Sequence, residues 1–225
     1  FDNSQQVQEL ISSLQSVGMR CVLHMDVTAK GLYDTLQSLA DNTEYLSETD
    51  GFLCWIITYG DKHTLYARDQ ALDLDAVIKP FTGDRCPGLF GKPKLFFVQA
   101  MNSKPKFTCV ADSAAVGKEA VQEMSIPCKI PAMADFYFAF SSAPGFFHSG
   151  DETYMSHFIE IVTQVVNKHV PQEPRETDLA TLMTRIVTGA REHFIKEKGS
   201  SDAIYYQLPC AMSTLTRHVI FSKRR

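Results

Sequence analysis

Val7, Leu10, Ile11, Leu14 and Val17 recur three and four positions apart, with Asn3 or Ser4 placed to cap and Gly18 ending the run. That spacing predicts a helix with one face on a core. Met19–Met25 is rich in strand formers, and Leu32, Leu36 and Leu39 then return to helical spacing. Phe52–Tyr59 and Leu95–Met101 are nearly continuous apolar runs, as expected for strands of a parallel sheet with both faces covered. Further on, Ala134–Ser141 reads as a buried strand, and Ser156–His169 and Asp178–Phe194 read as helices. The second of these carries Leu179, Leu182, Met183, Ile186, Val187, Ala190 and Phe194 on one stripe. Leu215–Ser222 reads as a closing strand after the break at Pro209. Strands alternating with helices predict an α/β fold with a mostly parallel sheet. Between the strand ending near Met101 and the one opening near Ala134, the chain is polar and aperiodic. The division expected is one domain over 1–225, with 1–103 and 130–225 as its two halves and 104–129 as a linker.

Composition narrows the partners. With 225 residues, 44% of them hydrophobic, the chain has ample material for a core without metal or disulfide staples. Its 22 basic and 26 acidic residues leave a net charge of −4, and the scattered cations form no electrostatic footprint for nucleic acid. No apolar run approaches the roughly 18 residues of a membrane span. Six cysteines lack CxxC or Cys/His ligand spacing, so reduced thiols, a cytoplasmic location and no metal or other cofactor are expected. The first residue is Phe1, so a trimmed or processed sequence is expected, with any targeting or recruitment segment unseen.

The glycine-rich segment from Gly83 to Pro93 superficially suggests a phosphate cradle. It fails the spacing test, with Cys86 where a P-loop needs glycine and Pro93 where it needs Ser or Thr, and it precedes a strand instead of opening a helix.

The same segment, Gly83-Asp84-Arg85-Cys86 followed by Gly91-Lys92-Pro93-Lys94-Leu95-Phe96-Phe97-Val98-Gln99-Ala100, closely resembles the caspase family as its large subunit nears the active-site cysteine. Ile130-Pro131, Ala134-Asp135-Phe136, Ser141, Ala143-Pro144-Gly145 and Leu208-Pro209-Cys210 extend the resemblance over essentially the whole chain. It implies a caspase-like fold: a central six-stranded, mostly parallel sheet with helices on both faces. It also implies what is missing. The signature pentapeptide reads Gln99-Ala100-Met101-Asn102-Ser103, which puts Met101 at the nucleophile position. The family's Ser-His-Gly reads Thr58-Tyr59-Gly60, which puts Tyr59 at the base position and leaves Gly60 as an oxyanion amide. The spacing from Tyr59 to Met101 is close to the separation of about 50 residues that the family keeps.

A thioether has no proton to lose, and a phenol with a reference pKa of about 10 is a poor shuttle near pH 7. Loss of the nucleophile or base from such a unit costs on the order of 10⁶ in rate. The expectation is therefore a chain that is not an enzyme, similar to inactive, decoy-type members of the family such as insect ones.

The substrate pocket is expected to be degenerate as well. Gln99 survives, but Phe147 leads into Ser149 and Gly150 where the family carries Trp and Arg. Loss of one bidentate Arg removes about 1.5–3 kcal/mol of charged hydrogen bonding, so no small-molecule or aspartyl-peptide substrate is expected. Cys86, Cys109, His63 and His148 could form a relocated dyad, although small buried thiols and surface imidazoles are the plainer reading. Val110-Ala111-Asp112-Ser113 has the form of a caspase cleavage site at Asp112. The resemblance further implies pairing through the last strand, Leu208–Phe221, with Cys210, Met212, Thr214 and Thr216 at the interface. The partner expected is an active caspase or a second copy of the chain, with apoptosis as the process modulated; capture of an upstream adaptor and a peptidase with a relocated nucleophile are the alternatives.

Overall fold

The computed structural model describes residues 4–60, 64–102, 133–142, 157–170, 177–198 and 208–221. The expected linker, 104–129, lies outside them. In chain order the elements are α1 (Ser4–Ser16), α2 (Ala29–Asp41), α3 (Thr43–Ser47), β1 (Phe52–Gly60), β2 (Leu65–Tyr66), β3 (Ala71–Leu72) and α4 (Leu74–Ile78). They continue with β4 (Lys94–Asn102), β5 (Phe136–Phe140), α5 (His157–His169), β6 (Thr177–Asp178), α6 (Leu179–Lys198), β7 (Cys210–Ser213) and β8 (Ile220–Phe221).

Six strands form one sheet in the order β3-β2-β1-β4-β5-β7, parallel at β1-β4-β5 and antiparallel outside, as the fold class required. The continuous apolar runs are explained by burial on both faces. Alternate residues of a strand point to opposite sides, and here Leu95, Phe97, Tyr137 and Ala139 join one cluster while Phe96, Val98, Phe136, Phe138 and Phe140 join another. Helices α1, α5 and α6 cover the first face, through Leu10, Leu14, Ile159, Val162, Leu182 and Ile186. Helices α2 and α4 cover the second, through Leu36, Ala40 and Val77, with Phe96 stacked near Phe138 at 5.6 Å between ring centroids.

Local signals set the ends. Gly18, at φ 87°, closes α1: its N–H donates to Gln15 O at 3.0 Å and that of Met19 to Leu14 O at 3.1 Å, the paired bonds of a Schellman stop. Thr28 opens α2 by accepting the Gly31 N–H on its hydroxyl at 3.0 Å.

Two expectations about strands are corrected. Met19–Met25 forms no strand, because strand-forming side chains do not suffice without a neighbour to complete the hydrogen-bond ladder. Val22, Leu23 and Met25 are exposed there instead. The closing segment is not one strand over 215–222. β7 ends before it, and among the described residues of that span only Ile220–Phe221 forms a strand, paired with β6 in a separate two-stranded ribbon. Among the described residues no helix is long and apolar enough to cross a membrane.

Candidate functional site

In a parallel sheet, chemistry gathers at the carboxyl ends of the strands, and β1 and β4 end together. Over nine residues they pair in register from Phe52↔Lys94 to Gly60↔Asn102. This register sets Tyr59 opposite Met101, and Ile57 opposite Gln99. Two positions far apart in the sequence are thereby brought to one strand end.

Gly60 sits where the backbone needs its small size. A Cβ there would meet the Ala100 Cβ at 3.0 Å, the Thr64 carbonyl at 3.0 Å and the Leu65 side chain at 3.2 Å. The Thr58 hydroxyl of β1 donates to the Tyr66 carbonyl of β2.

Gln99 is 1% exposed, and among the described residues neither its Nε2 nor its Oε1 finds a hydrogen-bond partner. A buried amide left in that state costs about 1–3 kcal/mol. Its polar end is therefore a demand for a partner at the carboxyl end of β4.

Burial raises the pKa of every thiol among the described residues. Burial pushes Cys54 up to about 12 and also raises Cys21 and Cys210. Burial raises Cys86 too, and its Sγ donates to the Ala40 carbonyl at 3.7 Å. Cys86 is 1% exposed, and burial disfavours the thiolate that a nucleophile needs. Cys109, His63, His148, Phe147, Ser149, Gly150 and the possible cleavage site at Asp112 all lie outside the described residues. No group of three His, Cys, Asp or Glu side chains among the described residues could hold a metal ion.

At the far side of the sheet, Cys210 and Met212 lie in β7, while Thr214 and Thr216 follow it. Among the described residues β7 is the last strand of the sheet, paired on one side only, with β5. The Thr214 N–H donates to Phe136 O at 2.8 Å. Antiparallel alternation then turns the main chain of Met212 and Cys210 toward β5, and that of Ala211 and Ser213 outward. Met212 is 46% exposed beside them.

Comparison with known proteins gives one consistent match. Residues 3–220 match the Caspase domain family, Peptidase C14. The chain is 26% identical over 217 residues to caspase-7 of Gallus gallus, covering 95% of this chain and 68% of that protein. It is 30% identical over 219 residues to caspase-1 of Spodoptera frugiperda, covering 94% and 69%. It is 28% identical over 227 residues to caspase drICE of Drosophila melanogaster, covering 97% and 63%.

These matches correct the expectation that the chain is not an enzyme. That expectation rested on two residues, Tyr59 and Met101, placed in short motifs, whereas the match to a peptidase family and to proteins named caspases runs nearly end to end. What the comparisons support is a domain of a peptidase family. Bird and insect relatives match at similar identity, so no lineage is singled out.

Proposed function

The chain belongs to the caspase family, and on that premise we propose that it acts in caspase-dependent cell-death control by pairing the free edge of β7 with the corresponding edge of an active caspase. The observation that carries this reading is the geometry of the edge. Among the described residues Ala211 and Ser213 turn their main-chain groups outward without a strand partner, beside an exposed Met212, at one end of a sheet whose two faces are covered. An edge of this kind is a template for another strand. A partner of the same fold brings a complementary edge across a two-fold axis. Binding would then bias the loops of the partner by the difference in affinity for its conformations.

The test is to co-express the chain with an active caspase, capture it by a tag on this chain alone, and compare aspartyl-peptide cleavage by the bound fraction with that of the caspase by itself. A stoichiometric complex with altered turnover supports the reading. Absence of a complex overturns it.

A second reading, that the chain cleaves peptides itself, is favoured by the buried Gln99 amide, which lacks a partner among the described residues at the strand end where a peptide would lie. Burial raises the pKa of each of the four described thiols, which leaves Cys109 and Cys128 as the candidate nucleophiles, and the former is tested first. Labelling with a thiol-reactive probe, together with loss of turnover in Cys109→Ala, would establish it.

A further inference from the structure

The free edge of β7 is cut to length by a residue outside it. Asp135, just before β5, holds a left-handed main-chain conformation at φ 65°, a region that few residues other than glycine enter. Its carbonyl accepts the N–H of Lys94, the first residue of β4, at 2.9 Å, and its own N–H donates to Thr214 O at 3.0 Å. Its Oδ1 accepts the Thr216 N–H at 3.0 Å and the Thr216 hydroxyl. Thr214 closes the ring from the other side: Oγ1 accepts the Phe136 N–H at 3.0 Å and donates to Met133 O. Burial pulls the Asp135 carboxyl upward, but the Thr216 bonds and the nearby Lys94 and Arg217 outweigh it and hold the group below the ordinary carboxylate value.

The ring ties Thr214 and Thr216 to Asp135, Phe136 and Met133, the Leu215 N–H donates to the Ser213 hydroxyl oxygen at 3.2 Å, and the strand stops at Ser213. At the other end Pro209 has no N–H to offer. The outward N–H groups of the edge are therefore those of Ala211 and Ser213. An antiparallel partner strand satisfies both when Ala211 faces the residue that corresponds to Ser213, which puts Met212 at the two-fold axis. Resting on the edge-pairing reading above, we propose that Asp135 is the positioning residue of this interface, fixing the register of the partner strand by holding Thr216 in a bend that keeps Leu215 from continuing the edge. Without the carboxylate those residues can extend β7, and the partner can slip by two residues with every side chain still on its own face.

The test reads register directly. The chain carrying Met212→Cys in a Cys210→Ser background is mixed, under mild oxidation, with a recombinant caspase bearing a cysteine either at the matching position of its last strand or two residues away. Directly opposed residues of a non-hydrogen-bonded antiparallel pair lie about 4.5 Å apart at Cα, within disulfide range. The matched pair is expected to crosslink at least five-fold more than the displaced pair. Asp135→Ala should bring the ratio toward one, and Asp135→Asn, which keeps an acceptor for Thr216, should restore it; a change in stability alone would lower both yields together. Thr216→Val, a milder variant, should give an intermediate ratio and serves if Asp135→Ala does not fold. An unchanged ratio in these variants overturns the role of Asp135 and leaves edge pairing standing. No crosslink with Asp135 intact overturns both.

Discussion

Tyr59 and Met101 are Cα partners on adjacent parallel strands, one residue before the last pair of the β1–β4 ladder. The positions that the resemblance assigns to a proton shuttle and a nucleophile are therefore paired in the ladder, although the residues themselves are a phenol and a thioether. The backbone register thus brings the two positions to neighbouring places on one strand end.

Installing the missing groups tests that geometry. In Met101→Cys the new thiol should alkylate with an ordinary pH profile, with a midpoint near the reference value of about 8.5. In Tyr59→His/Met101→Cys the neighbouring imidazolium should lower the apparent thiol pKa by about one unit or more. Iodoacetamide labelling rates between pH 5 and 9 check this. Coincident profiles for the two variants would show that the side chains do not meet.

Gly60 is the second constraint on the same strand end. In Gly60→Ala the added methyl must displace Ala100 or the Thr64 carbonyl, each only 3.0 Å from its ideal position. Overpacking of this kind costs about 1–3 kcal/mol. Urea denaturation should show that loss, and a variant as stable as the parent would mean that the turn into β2 yields freely.

The buried acids predict how stability responds to alkali. Burial raises Cys54 to about 12 and Tyr137 to about 12, above the values that each side chain takes in the unfolded chain. The folded state therefore keeps protons that the unfolded state releases. The stability so held is complete below about pH 9 and is lost as pH rises from there toward 12, at up to about 1.4 kcal/mol per pH unit for each group. Urea midpoints at pH 8, 9.5 and 10.5 should fall progressively, and less steeply in Cys54→Ala. Parallel slopes in the two proteins would remove Cys54 as a contributor.

What the sequence discloses depends on whether the signal is local. The runs at Phe52–Tyr59 and Leu95–Met101 locate two central strands, because burial on both faces leaves no polar position to interrupt them. The stripe from Leu179 to Ala190 locates α6 for the matching reason, one apolar face at helical spacing. Met19–Met25 carries the same strand-forming residues as β1 and forms none, since a ladder is completed by a neighbour that composition does not reveal. The ring at Asp135 is equally hidden. Nothing in the residue types of Thr214 and Thr216 distinguishes outward interface positions from the inward bonds that they make to Met133 and Asp135. At the strand end, the orphaned Gln99 amide is visible only once its burial is known.

Met212 offers the sharpest separation of binding from folding. Its side chain is 46% exposed at the end of the sheet, so Met212→Arg should alter the stability of the isolated chain by no more than about 0.5 kcal/mol. At the two-fold axis of a paired edge, however, the guanidinium would be buried against the partner strand without a counter-charge. Capture of a caspase should fall at least ten-fold, equivalent to about 1.4 kcal/mol. Pull-down titration measures the loss, and a thermal melt of the variant alone controls for folding. Undiminished capture by a folded Met212→Arg chain would place the contact elsewhere than the edge of β7.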